Sequence, residues 1–187
     1  MRLGWMMLVL VGCEKESISF SIDEGSHDGS PRSVGGMETD ASFDRSLSFD
    51  AFFHADAAYT TESASNQDDW NKLMGLCQAD HQDNSIRLGW RYDPVGDAIE
   101  LGYYGYLNGT RQSHELGAWP LESVIPVTLR FTSTGSTATA DGVSASEVGA
   151  VDTSGTGAVT FEMRTVYFGG DETAPHDIHV DVRNISN

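Results

Sequence analysis

Residues 85–119, SIRLGWRYDPVGDAIELGYYGYLNGTRQSHELGAW, hold three alternating runs joined by two turn signals, and they decide the fold. From 85 to 93, Ile86, Leu88, Trp90 and Tyr92 fall on one side and Arg87, Gly89 and Arg91 on the other, the period of a strand buried on one face. The stretch Asp93-Pro94-Val95-Gly96-Asp97 places Pro and Gly where a tight reversal uses them. Residues 98–107 alternate again. Asn108-Gly109 then supplies the dipeptide of a type I′ hairpin, since both residues tolerate positive φ, and 110–119 forms the third strand.

Outside this meander, 47–59 reads as one aromatic-rich strand or a bulged pair, and 124–132, 136–140, 158–168 and 176–185 read as further strands. The segment 63–83 is the least β-like; apolar residues at 70, 73, 74 and 76 predict a short helix with Asx caps over 68–76. Strands of similar length, separated by Gly, Asn, Asp and Ser turns with at most one or two short helices, predict an all-β antiparallel sandwich.

At the start of the chain, Arg2 precedes an apolar run over 3–11 that is too short to span a bilayer and suits a signal-peptide core. The run ends Leu10-Val11-Gly12-Cys13, which resembles the lipobox of bacterial lipoproteins. That resemblance implies a signal peptide over 1–12, diacylation of Cys13, and export to a bacterial membrane, with Glu14 compatible with the outer membrane or cell surface. Residues 13–41 are then the lipidated cysteine and a Ser, Gly, Asp and Glu-rich tether with a reach of roughly 30 Å. Within it Ile18, Phe20 and Ile22 alternate, which leaves a short strand open, and His27 and Asp28 read as solvated. A single β-sandwich domain follows over 42–187.

The chain carries 28 acidic against 11 basic residues, a formal charge of −17. Such a balance disfavours nucleic acid and anionic lipid surfaces as partners. The membrane is reached through the lipid anchor alone. With Cys13 lipidated, Cys77 has no disulfide partner and reads as a small apolar core residue.

The order of 127–131, 137–142 ending in Asp-Gly, 166–170 ending in Gly-Gly, and 178–184 resembles the concanavalin A-like jelly roll, particularly its laminin-G and pentraxin-like branch. Lectins, adhesion modules, glycosidases and polysaccharide lyases share that fold, so the function must come from a site.

If Ile86, Leu88, Trp90, Leu101 and Tyr103 face inward, then Arg87, Arg91, Glu100, Tyr104 and Tyr106 face out together, and Gln112 and His114 are expected to join them from the next strand. Tyrosines stack on sugar rings, while Arg and Gln bind hydroxyls or carboxylates. This makes Arg87, Arg91, Tyr104, Tyr106, Gln112 and His114 the candidate ligand set of a non-catalytic glycan-binding or adhesion module whose partner is a polysaccharide or glycoconjugate. A solvated sheet with cross-strand Arg and Glu pairs is the plain alternative. The inventory also resembles that of alginate-lyase-like jelly rolls, which implies His114 and Tyr104 handling the proton at C5 and Arg87 and Gln112 neutralising a uronate. Glycoside hydrolysis is weaker, because its two facing carboxylates are not evident, and a structural envelope lipoprotein with a protein partner is the third class. Asp80, Asp83 and Asn84 gather oxygen donors in one loop, a candidate site with calcium as the cofactor. In 176–185, alternation places Asp177, His179 and Asp181 on one polar outer face.

Overall fold

The computed structural model describes residues 16–37, 44–78, 80–152 and 160–187. Thirteen strands follow in order: β1 Glu16–Ile22, β2 Gly29–Ser30, β3 Ser33–Met37, β4 Arg45–Phe53, β5 Asn71–Gln78, β6 Asn84–Asp93, β7 Ala98–Leu107, β8 Thr110–Trp119, β9 Val124–Thr132, β10 Gly135–Ala140, β11 Val143–Val148, β12 Thr160–Tyr167 and β13 Ile178–Ser186. A 3₁₀ turn, Ala55–Ala57, and a single helical turn, α1 Ala64–Gln67, complete the described elements. The strands form two antiparallel sheets, one in the order β11-β10-β9-β4-β13-β1-β2 and the other β3-β12-β5-β6-β7-β8. The fold is an antiparallel jelly-roll sandwich.

The meander β6-β7-β8 lies at one side of the six-stranded sheet with both expected turns. Asn108 and Gly109 both take positive φ, 50° and 76°, so the right-handed strand twist continues through the turn. The Asn108 side chain secures that turn from outside: its Oδ1 accepts Asp152 N–H and its Nδ2 donates to Ala150 O. Ile86, Leu88, Trp90, Leu101 and Tyr103 are all fully buried. They meet Leu47, Phe49, Phe53, Leu129, Phe131 and Val180 of the other sheet, each such side chain worth roughly 1.5–3 kcal/mol on burial. Trp90 packs on Phe53 with ring centres 5.3 Å apart, and the Tyr103 hydroxyl reaches Ser136 Oγ at 2.8 Å, so the two layers are joined by packing and by a buried hydrogen bond.

Two expectations are corrected. The tether does not extend through 41: residues 16–37 lie in the sandwich, with β1 paired to β13 inside the seven-stranded sheet and Phe20 and Ile22 fully buried. The serines that made the segment look like a linker are the outward half of a period-two strand. His27 is likewise engaged, its Nδ1 against Phe168 O at 2.9 Å and its ring stacked on Tyr167. The signal peptide and Cys13 lie outside the described residues.

Likewise, the helix expected over 68–76 is the bulged strand β5. Leu73, Met74 and Leu76 are all buried because the register shifts between Leu73 and Gly75, which turns two consecutive residues toward covered positions. Apolar residues at 70, 73, 74 and 76 fit a helix and a bulged central strand equally, and sheet pairing on both sides selects the strand.

Candidate functional site on the six-stranded sheet

The hydrogen-bond register assembles the outer face row by row. Tyr167 of β12, Lys72 of β5, Gly89 of β6 and Gly102 of β7 are successive cross-strand partners. Beside them run Gly75, Arg87, Tyr104 and Ser113, and then Cys77, Ser85, Tyr106 and Arg111. These rows floor two adjoining cavities. One, of about 420 Å³, is lined by Arg32, Lys72, Arg87, Tyr104, Tyr106 and Tyr167 among others. The second, of about 320 Å³, is lined by Trp70, Lys72, Tyr104, Arg111, Ser113 and Asp171 among others. Lys72 and Tyr104 line both, so the two form one trough with those residues at its waist.

Small residues make room for the large ones. A Cβ at Gly102 would stand 2.7 Å from the Trp70 indole, and one at Gly75 would stand 2.6 Å from Arg87 Cγ. Gly102 therefore seats the indole flat on the sheet, and Gly75 lets the Arg87 side chain lie across β5 to donate from Nη2 to Thr165 Oγ1 at 2.7 Å.

The cations on this face fall into two states. Arg91 is satisfied: it stacks on Trp70 at 4.4 Å, its Nε donates to Glu100 at 2.6 Å, and its Nη2 donates to Glu115 at 2.8 Å. Lys72, Arg87 and Arg111 have no carboxylate at ion-pair distance among the described residues. Among the described residues Arg87 holds only Thr165, and its buried Nε has no hydrogen-bond partner there. Burial pushes its pKa down to about 10, still cationic at neutral pH. Lys72 Nζ sits between two aromatic faces, 5.0 Å from the Tyr104 ring centre and 5.1 Å from that of Tyr167. Burial, with Arg87 adding repulsion, brings its ammonium down to about 8. Burial holds the Tyr104 phenol protonated, up to about 12. Cys77 beneath the trough is 3% exposed, and burial raises its thiol to about 11, an inert packing residue as the sequence indicated.

Arg87, Tyr104 and Tyr106 are thus brought together as expected, whereas Arg91 shares their face but is consumed by Glu100 and Glu115. Gln112 and His114 do not join them. A two-residue turn at 108–109 pairs Tyr104 with Ser113 and Tyr106 with Arg111, so even positions on β7 share a face with odd positions on β8. His114 is opposite Tyr103 and reaches Glu147 of β11 at the open edge between the sheets. Lys72, Trp70 and Arg111 are the residues that sequence reasoning missed. Arg111 was recoverable from the hairpin parity; Lys72 and Trp70 were hidden by the helical reading of 68–76.

In the loop before β6, Asp80 Oδ1 accepts Gln82 N–H at 2.9 Å, and Asn84 Oδ1 accepts Asn108 N–H at 2.8 Å. Asp80 and Asn84 thus each commit one side-chain oxygen to a backbone donor, and the described residues hold no group of three or more His, Cys, Asp or Glu placed around a common point. On the opposite sheet, His179 and Asp181 do lie outward, with His179 Nδ1 2.7 Å from Asp56 and His54 Nε2 3.3 Å from Asp181.

The sequence matches no protein-family model and no curated protein sequence. Solved structures do match in three dimensions. Alginate lyase AlyC3 superposes with a TM-score of 0.62 at 9% identity, over 91% of this chain and 74% of that one. The alginate lyase vAL-1 from Chlorella virus gives 0.57 at 9% identity, over 91% and 84%. A Bacteroides ovatus mixed-linkage glucan GH16 protein gives 0.56 at 8% identity, over 92% and 81%. This is a likeness of fold. It shows the antiparallel jelly-roll sandwich and leaves the ligand to the trough itself.

Proposed function

We propose that this protein binds an acidic polysaccharide, a chain of uronate residues, along the outer face of the six-stranded sheet. One observation carries the reading. In a chain of charge −17, four of the eleven basic residues line the trough, and three of them, Lys72, Arg87 and Arg111, stand without a carboxylate partner among the described residues. Arg111 is exposed, but Lys72 and Arg87 are drawn partly out of water, and a cation held there with no counter-charge is costly and is retained where a ligand supplies the charge. The Arg87 guanidinium suits a sugar carboxylate, while Tyr104, Tyr106, Tyr167 and Trp70 offer faces for pyranose rings. Structural neighbours named for alginate and for a mannuronate dimer agree with an acidic ligand. The lipobox-like sequence ending at Cys13 adds a lipid anchor that would hold this trough at a bacterial surface.

Calorimetry with oligomers of mannuronate, guluronate and galacturonate, against neutral glucan oligomers, tests the reading. Binding to a uronate that weakens with salt and falls at least tenfold in Arg87→Met supports it. Equal affinity for neutral glucans, or no uronate binding, overturns it. For the anchor, Cys13→Ala is expected to move the protein from the membrane to the soluble fraction.

A further inference from the structure

The outer face of the seven-stranded sheet settles its charges within the chain, yet one corner of it leaves imidazole nitrogens unused. Three of the six histidines, His54, His176 and His179, gather around the 3₁₀ turn Ala55–Ala57. His54 follows β4 and His179 lies on β13; the His54 N–H donates to His179 O at 3.3 Å, in step with the pairing of Phe53 and Val180. Phe53 and Val180 are buried, so alternation turns both imidazoles outward, side by side on neighbouring strands. Their ring centres are 6.4 Å apart with the planes at 82°.

Each ring is held by a carboxylate on one nitrogen. His179 Nδ1 lies 2.7 Å from Asp56 Oδ2, and Asp56 Oδ1 also accepts the His179 N–H at 3.0 Å. His54 Nε2 lies 3.3 Å from Asp181 Oδ2, and its ring stands edge-on to Phe52 at 4.9 Å. A carboxylate only accepts, so the nitrogen facing it carries the proton of the neutral ring, and the opposite nitrogen, Nε2 of His179 and Nδ1 of His54, keeps its lone pair. Neither lone pair has a hydrogen-bond partner among the described residues. His176 stands outside the pair and fixes the turn, its Nε2 donating to Asp56 O at 2.9 Å. Arg183, the cation that shares the face, donates to Asp181 and covers Phe52.

We infer that His54 and His179 form a binding site for a divalent late first-row metal ion, of the Zn²⁺, Ni²⁺ and Cu²⁺ class, on the sheet opposite the trough. Imidazole nitrogens select these ions over calcium and magnesium, which take oxygen donors. At metal–nitrogen distances of about 2.0–2.1 Å, two imidazoles on a tetrahedral ion have ring centres roughly 5 Å apart, so the rings close by about 1 Å through side-chain rotation. Asp56 and Asp181 orient the rings from behind, the carboxylate–histidine arrangement that raises the basicity of the ligating nitrogen. A net charge of −17 draws cations to the surface. Among the described residues no third His, Cys, Asp or Glu completes the set, so water fills the remaining positions of the ion. The alternation of 176–185 shows His179 and Asp181 on one face, but the pair arises only when β4 brings His54 alongside.

The test is titration calorimetry of the purified full chain with ZnCl₂, NiCl₂ and CuCl₂ in a non-coordinating buffer near neutral pH, with CaCl₂ and MgCl₂ as comparisons. One ion per chain is expected at this site, Cu²⁺ tightest, with affinity falling at least tenfold in His54→Gln and in His179→Gln and the site lost in the double variant. Asp56→Asn, which leaves both imidazoles in place, is expected to cost about tenfold. Electron paramagnetic resonance of the Cu²⁺ complex is expected to show coupling to two imidazole nitrogens, reduced to one in each single histidine variant, a signature that histidines serving only to brace the turn do not give. Metal-free melting temperatures equal to the parent's exclude misfolding as the cause. Binding of none of the three ions more tightly than Ca²⁺ overturns the inference. A double variant that binds Zn²⁺ and Cu²⁺ as the parent does, or a Cu²⁺ spectrum without nitrogen coupling, overturns it equally.

Discussion

The outer faces of the two sheets differ in how their charges are settled. On the seven-stranded sheet, Arg130 of β9 holds Asp44 through two hydrogen bonds and Arg183 of β13 holds Asp181, while Ser48 with Thr128, Thr137 with Ser146 and Thr139 with Ser144 form cross-strand hydroxyl pairs. That face is complete in itself. On the six-stranded sheet, Arg91 is settled in the same manner, but Lys72, Arg87 and Arg111 are not. A protein so rich in carboxylates could have paired them easily. The difference teaches that the acidic residues lining the trough, Asp28, Asp69 and Asp171, stand outside ion-pair distance of Lys72, Arg87 and Arg111, and that these cations are matched to something outside the chain.

The sharpest way to break this comparison is to remove one cation from each face. Arg87→Met should abolish most uronate affinity, about tenfold to a hundredfold from the loss of a charge-assisted contact, and should leave the melting temperature unchanged or higher, because an uncompensated buried charge is replaced by a methylene chain. A clear fall in melting temperature together with unchanged affinity would make Arg87 structural. Arg130→Ala, on the settled face, should change neither uronate affinity nor melting temperature beyond error, since its partner Asp44 is exposed at the surface.

A pH series sharpens the same contrast. The Lys72 pKa is about 8 in the folded protein against an ordinary value of 10.5. Between these values the unfolded chain binds more protons than the folded one, so this group makes stability rise with pH across that window. Relative to Lys72→Met, the parent should gain on the order of 1–3 kcal/mol between about pH 8 and about pH 10, read from denaturant unfolding at each pH. Uronate affinity should run the other way, falling above about pH 8 as the ammonium is lost. Parallel curves for parent and variant would mean that Lys72 titrates like a solvated lysine. The smallest effect among the trough variants is expected at Gly102→Ala: the new methyl displaces the Trp70 indole, loosens its stack on Arg91, and lowers affinity by about twofold to fivefold at one end of the trough, measured by the same calorimetry.

The sequence alone determined the meander. Its alternation, its Asp-Pro-Val-Gly-Asp turn and its Asn-Gly hairpin are local signals, and each is repeated in the strands and in the fully buried row Ile86, Leu88, Trp90, Leu101 and Tyr103. The same signals placed Arg87, Tyr104 and Tyr106 on one face, because parity along paired strands is a short-range property. The Asn-Gly turn even contained the correction for Gln112 and His114: a two-residue loop sets the register, and with it Ser113 and Arg111, not their neighbours, face the trough.

What only the tertiary structure decided depends on pairing between distant segments. Lys72 reaches the waist because β5 is bulged and inserted between β12 and β6, an arrangement that its own residues, compatible with helix or strand, do not specify. Trp70 lies on the sheet because Gly89 and Gly102, on two other strands, leave it a seat. Residues 16–22 belong to the core because β13, from the far end of the chain, offers them a hydrogen-bonding edge and covers Phe20 and Ile22. In each case the local free-energy difference between alternatives is small, and burial against a non-adjacent segment selects one of them, more than 50 residues away for β1 on β13 and for β5 on β12.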